Sequence, residues 1–155
     1  MKIRFAVIGV VLFLAILACG GSNTGQKVGE TTSAGPTNTP GVSVYKAGDI
    51  IKLSDHTIVM NSGEVKTNIL QANFTIENTS SKDIAISSLL NFSAKSSDGT
   101  KLDISLDCGS DLGGTILSGD KLKGDICFKL AGSAPYRIYY QSGLFSSGAI
   151  VWEIP

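Results

Sequence analysis

His56, a run of aspartates and three cysteines are the residues of this chain best suited to bond-making chemistry, and their spacing turns most of them toward structure. His56 is the single histidine and sits in Ser54-Asp55-His56-Thr57. So tight a spacing does not set Ser, His and Asp in the relay geometry of a hydrolytic triad. The tetrapeptide reads as an exposed polar turn. Asp98, Asp103, Asp107, Asp111, Asp120 and Asp125 crowd the second half, where calcium would take carboxylate oxygens from loops. Yet Asp107-Cys108-Gly109-Ser110-Asp111 lacks the bidentate acid that closes an EF-hand loop, and acids in turns ordinarily serve Asx-turn hydrogen bonds. Asp103 and Asp107, four apart on one strand face, would stand about 13 Å from each other, too far to act on one glycosidic bond. The expectation is a protein without catalysis, cofactor or metal.

The N-terminus supplies the compartment. Lys2 and Arg4 precede an unbroken apolar run from Phe5 to Ala18, and Cys19 stops it. This is the layout of a secretory signal, short for a bilayer span and followed by no stop-transfer charges. Its end, Ile16-Leu17-Ala18-Cys19, resembles the lipobox of bacterial lipoproteins, where cleavage falls before a cysteine already carrying diacylglycerol. The resemblance implies a signal peptide over 1–18, lipidation of Cys19 and a domain held outside the bacterial cytoplasm on its membrane. With Cys19 acylated, Cys108 and Cys127 remain as an even pair in an oxidising compartment, and a disulfide between them is expected. Closing that loop contributes on the order of 3 kcal/mol. Oxidised, neither sulfur is a nucleophile or a zinc ligand.

Charge excludes one partner class. The chain carries 13 Lys+Arg against 13 Asp+Glu, and loss of Lys2 and Arg4 leaves it slightly acidic. Nothing in that balance neutralises a phosphate backbone, so nucleic acid is not expected as a partner. No polybasic run suits anionic lipid either, which assigns membrane attachment to the acyl chains on Cys19. Residues 19–41 hold the lipidated cysteine and a Gly/Ser/Thr/Pro linker in which Val28 is the only large aliphatic side chain. Such a segment buries too little to fold and reads as a flexible tether with a reach of about 25 Å. Residues 42–155 suffice for one domain.

From Val42 onward the punctuation is that of strands. Leu70, Ala72, Phe74 and Ile76 alternate with Gln71, Asn73, Thr75 and Glu77, a period of two with one dry face. Ile50–Leu53 and Thr57–Met60 precede this strand; Ile84, Ile86 and Leu89–Ala94 follow it. Leu89 and Leu90 have room for one helical turn. Asp98-Gly99 predicts a type I′ hairpin, with Leu102, Ile104 and Leu106 alternating on the return strand. Ser118-Gly119-Asp120 predicts another turn before a strand carrying Leu122, Ile126, Phe128 and Leu130. Tyr136–Tyr140 and Ala149–Ile154 complete about seven or eight short strands, an antiparallel β-sandwich by default.

The opening Gly48-Asp49, the strand Ala72-Asn73-Phe74-Thr75-Ile76-Glu77-Asn78-Thr79, Asp98-Gly99, and Leu117-Ser118-Gly119-Asp120-Lys121-Leu122-Lys123-Gly124-Asp125-Ile126-Cys127-Phe128 carry a resemblance. From about Tyr45 to Trp152 the chain resembles a telokin-like, immunoglobulin-like domain of unknown function found on bacterial lipoproteins and secreted proteins. A secreted mycobacterial immunogenic protein is a structural relative of that family. The resemblance implies an all-β immunoglobulin-like sandwich with an extracytoplasmic binding role, and brings no catalytic residues. Antibody domains differ, because their disulfide spans the two sheets around an intervening tryptophan. Here Trp152 lies beyond both cysteines, and Cys127 falls on the face opposite Ile126 and Phe128, so a peripheral staple between neighbouring strands is expected.

Asn73-Phe74-Thr75, Asn78-Thr79-Ser80 and Asn91-Phe92-Ser93 fit the N-glycosylation triplet but read as solvated strand positions of a bacterial protein. Tyr136, Ile138 and Tyr140 share one face, leaving Arg137 and Tyr139 on the other as the binding surface favoured by residue type. The reading that emerges is a lipid-anchored interaction module of the cell envelope whose partner is a protein or a glycan. The rival reading is a small-ligand-capture lipoprotein with a pocket between its sheets.

Overall fold

The structure, a computed structural model, describes residues 26–27, 43–109, 111–143 and 148–155; the leader, Cys19 and most of the linker lie outside the described residues. The strands are β1 (Gln26–Lys27), β2 (Val44–Tyr45), β3 (Ile50–Lys52), β4 (His56–Lys66), β5 (Ile69–Asn78), β6 (Ile84–Ile86), β7 (Phe92–Lys95), β8 (Lys101–Leu102), β9 (Ile104–Ser105), β10 (Gly114–Ile116), β11 (Lys121–Lys129), β12 (Tyr136–Tyr140) and β13 (Ile150–Ile154). A single helical turn, α1 (Ser88–Asn91), precedes β7 where Leu89 and Leu90 leave room for one. One sheet runs β1-β3-β4-β5-β11-β9, the other β2-β13-β12-β7-β8, and β10 pairs with β6 as a ribbon. Every pairing of strands is antiparallel except β13 with β2.

The all-β sandwich follows from the alternation in β5. Leu70, Ala72, Phe74 and Ile76 are fully buried, and β4 and β11 flank the strand over nearly its whole length. Phe74 carries a chain of aromatic contacts through the interior. Its ring centroid lies 5.1 Å from Trp152 and 5.0 Å from Phe92; Phe92 lies 4.9 Å from Tyr140, and Tyr140 lies 5.7 Å from His56. Tyr45 extends the other end at 6.5 Å from Trp152. Each such pair adds roughly 0.5–1.5 kcal/mol beyond the area it buries. Among the described residues the buried core cluster runs from Ile51 to Ile154, with Tyr45 packed against it.

Several expectations are corrected. The strand count among the described residues rises because β1, β2 and β10 are added, residues 84–94 hold both β6 and β7, and the predicted return strand 102–106 is divided: β8 pairs with β7 in one sheet, and β9 pairs with β11 in the other. Asp103 is the step between sheets, and the step breaks the alternation. Leu102 and Ser105 are buried while Leu106 is 75% exposed. The Asp98-Gly99 turn is not type I′, which needs positive φ at both central residues. Only Gly99 has it (86°), and the Gly99 N–H closes the turn on the Ser96 carbonyl at 3.0 Å. Within the stretch read as a tether, Gln26 and Lys27 pair with Lys52 and Ile51 along the edge of β3.

Asn78, read as a solvated position, is fully buried. Its Nδ2 donates to the Lys82 carbonyl (2.7 Å) and the Ile116 carbonyl (2.9 Å), and its Oδ1 accepts from Ser80 N–H (2.9 Å) and Ser80 O–H (2.8 Å). That fills the hydrogen-bonding capacity of the amide. Asn73 and Asn91 are likewise engaged, with Asp125 Oδ1 and the Gln141 carbonyl.

Cys108 and Cys127 are joined by a disulfide with Cα atoms 5.8 Å apart. It ties the segment after β9 to β11, the strand β9 already pairs with. Beside it, Gly124 is bare because the chain crosses over it: a Cβ there would stand 2.9 Å from both the Asp111 carbonyl oxygen and Leu112 Cα. Leu112 is thereby seated in the core, its N–H on the Asp125 carbonyl at 3.2 Å.

Two substitutions test this framework by urea unfolding. Asn78→Ala should lower stability by about 2–3 kcal/mol, because buried carbonyls lose their donor. Gly124→Ala should cost about 1–3 kcal/mol through the displaced crossing, with Gly119→Ala, open around its Cβ but at φ +82°, costing only backbone strain of about 1 kcal/mol.

Candidate functional site

His56, expected in an exposed turn, is buried. It is 2% exposed at the start of β4, with Nδ1 2.7 Å from Asp55 Oδ1 and Nε2 2.7 Å from the Tyr140 hydroxyl. The polar turn is therefore Ser54 and Asp55 alone. Burial, and then the charge of Asp55, push the Tyr140 phenol well above the ordinary tyrosine range. A protonated phenol donates to Nε2, which leaves the Nδ1–H to donate to Asp55. The Asp–His half of a relay is thus present, but it is aimed at a buried phenol of the opposite sheet and not at a cleft. Its work is to join the sheets. A pattern reading misses this because a lone histidine among Ser and Asp has the composition of a turn.

The carboxylates disperse. Asp98 Oδ1 accepts from Ser96 Oγ (2.6 Å) and Thr100 N–H (2.9 Å), bonds that hold its pKa below the usual range, Ser96 foremost. Asp107 Oδ2 accepts from Ser105 Oγ at 3.2 Å. Asp103 lies at the step between sheets, so it does not share a strand face with Asp107. Among the described residues no three His, Cys, Asp or Glu side chains converge as a metal site would require.

Arg137 and Tyr139 lie on the outer face of the five-stranded sheet, where β12 turns them away from buried Tyr136, Ile138 and Tyr140. Register builds a row across the strands: Glu153, Arg137, Lys95, Lys101. Arg137 Nε donates to Glu153 Oε2 at 3.0 Å, which raises the guanidinium pKa further. The Lys95 ammonium stands over the Tyr139 ring, 5.7 Å from its centroid. Both residues are held in place yet reachable, with Arg137 half exposed. Sequence reading singles out Arg137 and Tyr139 but not Lys95 and Lys101, which only the register brings beside them.

A groove of about 540 Å³ opens where β2 and β13 of one sheet approach β4 of the other. Tyr45, Met60, Gly63 and Ile154 line it, with Lys46 and Glu153 as its charged groups. Two smaller cavities, of about 320 Å³ beside Phe92 and Leu102 and about 160 Å³ beside Ser105 and Cys127, lie toward the other side of the domain.

A family model described as a domain of unknown function (DUF4352) matches residues 26–150. Among solved structures, yjhA of Bacillus subtilis aligns over 72% of this chain and 100% of its own, at 15% identity and a TM-score of 0.59. MPT63, a secreted protein of Mycobacterium tuberculosis, aligns over 68% of this chain and 84% of its own, at 16% identity and a TM-score of 0.51. The alignment with ycdA of Bacillus subtilis, a presumed lipoprotein, covers 64% of this chain and 36% of that one, at 15% identity and a TM-score of 0.50. No curated protein matches the chain. At these identities the likeness is one of fold.

Replacing Tyr140 by Phe should cost about 1–3 kcal/mol, since His56 Nε2 loses its buried partner. A phenol whose pKa is raised by folding contributes stability that is intact below about pH 10 and is lost as pH climbs above it. Alkaline titration by absorbance should therefore show one late-ionising phenol in the parent chain that Tyr140→Phe lacks.

Proposed function

For a chain that belongs to the DUF4352 family of domains, we propose the role of a lipid-anchored, non-catalytic interaction module of the bacterial cell envelope, held outside the cytoplasm by acyl groups on Cys19. The leader and its closing cysteine support the location, and the secreted and presumed lipoprotein neighbours agree with it. The observation that carries the binding role is the Glu153–Arg137–Lys95–Lys101 row with Tyr139 beside it. Arg137 is held by Glu153 and Lys95 rests over Tyr139 before any partner arrives, and ordering side chains in advance lowers the cost of association. The row suits a protein or a glycan of the envelope.

The rival role, capture of a small ligand, rests on the groove at Tyr45, Met60, Gly63 and Ile154. Its volume is within the range of small-molecule sites and its lining is largely apolar.

Capture of envelope components by the acylated chain should be specific and should fall at least about tenfold on Arg137→Ala/Tyr139→Ala, as expected when two interface anchors are lost. Unchanged capture would remove this face from consideration. Labelling with palmitate should mark the parent chain and not Cys19→Ala. A small molecule retained in native mass spectra, and displaced by Ala47→Trp in the groove, would establish the rival role instead.

A further inference from the structure

We infer that Arg137, Lys95 and Lys101 form a binding site for an anionic polymer whose charges are phosphodiester groups; this names a ligand class for the face proposed above and rests on that reading. The argument begins with an unfavourable pairing. Lys95 is the direct cross-strand partner of Lys101 on one side and of Arg137 on the other. Like charges placed opposite each other destabilise a sheet. Two exposed cross-strand pairs are matched by sign, Lys121 with Glu77 at 3.2 Å and Arg137 with Glu153 at 3.0 Å, while the bridge of Asp111 with Asp125 sets two acids together, Asp125 there accepting from Asn73 Nδ2. Among the described residues no ion pair includes Lys95 or Lys101. Lys95 rests instead on the face of Tyr139.

Three cations on adjacent strands span about 10 Å. That row is longer than one phosphate, so a chain bearing phosphates at intervals engages it along its length, whereas a lone phosphate meets one end. Lysines supply point charges and the Arg137 fork supplies directed donors, the combination that suits phosphate oxygens. Glu153 is already taken up by Arg137, and exposed Asp103, two residues beyond Lys101, is the next acid along the chain. The exposed leucines Leu89, Leu90, Leu106 and Leu117 lie on α1, after β9 and after β10; none is in the row itself, and Leu89 shares a small cavity with Lys101 at its end. A polymer lying across a sheet therefore fits better than a lipid headgroup.

Binding of the full chain to poly(glycerol phosphate) tests the proposal, measured across a salt series. Inorganic phosphate, phosphatidylglycerol vesicles and polygalacturonate serve as the other arms. The polymer should bind at least about tenfold tighter per site than inorganic phosphate. The slope of log affinity against log salt should become shallower by roughly 0.7–1 for each of Lys95→Ala and Lys101→Ala. Lys101→Glu should abolish binding while raising the thermal midpoint, because it places an opposite charge against Lys95. A structural role for Lys101 would lower that midpoint. Polymer affinity unchanged in Lys95→Ala/Lys101→Ala overturns the proposal, as does no binding by the parent chain, or tighter binding to vesicles or to polygalacturonate. If the polymer fails to bind while Arg137→Ala/Tyr139→Ala still abolishes envelope capture, the face stands and the phosphodiester assignment falls.

Discussion

The contact between the Tyr140 hydroxyl and His56 Nε2 fixes how the two sheets of this domain meet. Apolar packing alone holds sheets together but tolerates sliding, since many arrangements of similar area cost similar free energy. A buried hydrogen bond does not slide: moved by an ångström, it leaves two polar atoms unsatisfied. Around it the chain Tyr45–Trp152–Phe74–Phe92–Tyr140 passes between the layers and sets their separation. Asn78 plays the corresponding part at the turns, gathering the β5–β6 connection and the end of β10 onto one side chain.

With the interior assigned to cohesion, the two outer faces are free to differ. On the larger sheet an amide ladder runs from Asn61 through Asn73 to Asp125, with donor and acceptor matched at 2.8 and 2.7 Å. On the smaller sheet three cations stand opposite one another across β12, β7 and β8. Faces so different in their pattern of charge present themselves to partners in different orientations. Under the anchored arrangement proposed above, that asymmetry would choose which side faces the envelope.

The architecture was legible wherever one residue in two is apolar over a long stretch. β5 and β12 are of this kind, and β5 alone constrains both neighbours in its sheet. Legibility failed where the chain changes sheets. Lys101–Leu106 reads as one strand because its apolar residues keep their alternation, and no local signal marks Asp103 as the step. The lone histidine and Asn78 were misread for a related reason, since polar residues near turns are ordinarily wet and only tertiary packing closes over these two. At the candidate site, Arg137 and Tyr139 could be named from residue type. Lys95 and Lys101 could not, because five residues of chain lie between them and a hairpin brings them opposite.

Each of the two large sheets ends in strands of two residues: β1 and β9 for one, β2 and β8 for the other. At those ends a neighbouring molecule finds few open amides to template on. β4 is the longer opening, since β3 covers it only at Thr57–Val59 and the strand runs on to Lys66. There the irregularity between Met60 and Ser62 and the exposed charges of Glu64 and Lys66 are the devices that discourage edge-to-edge annealing.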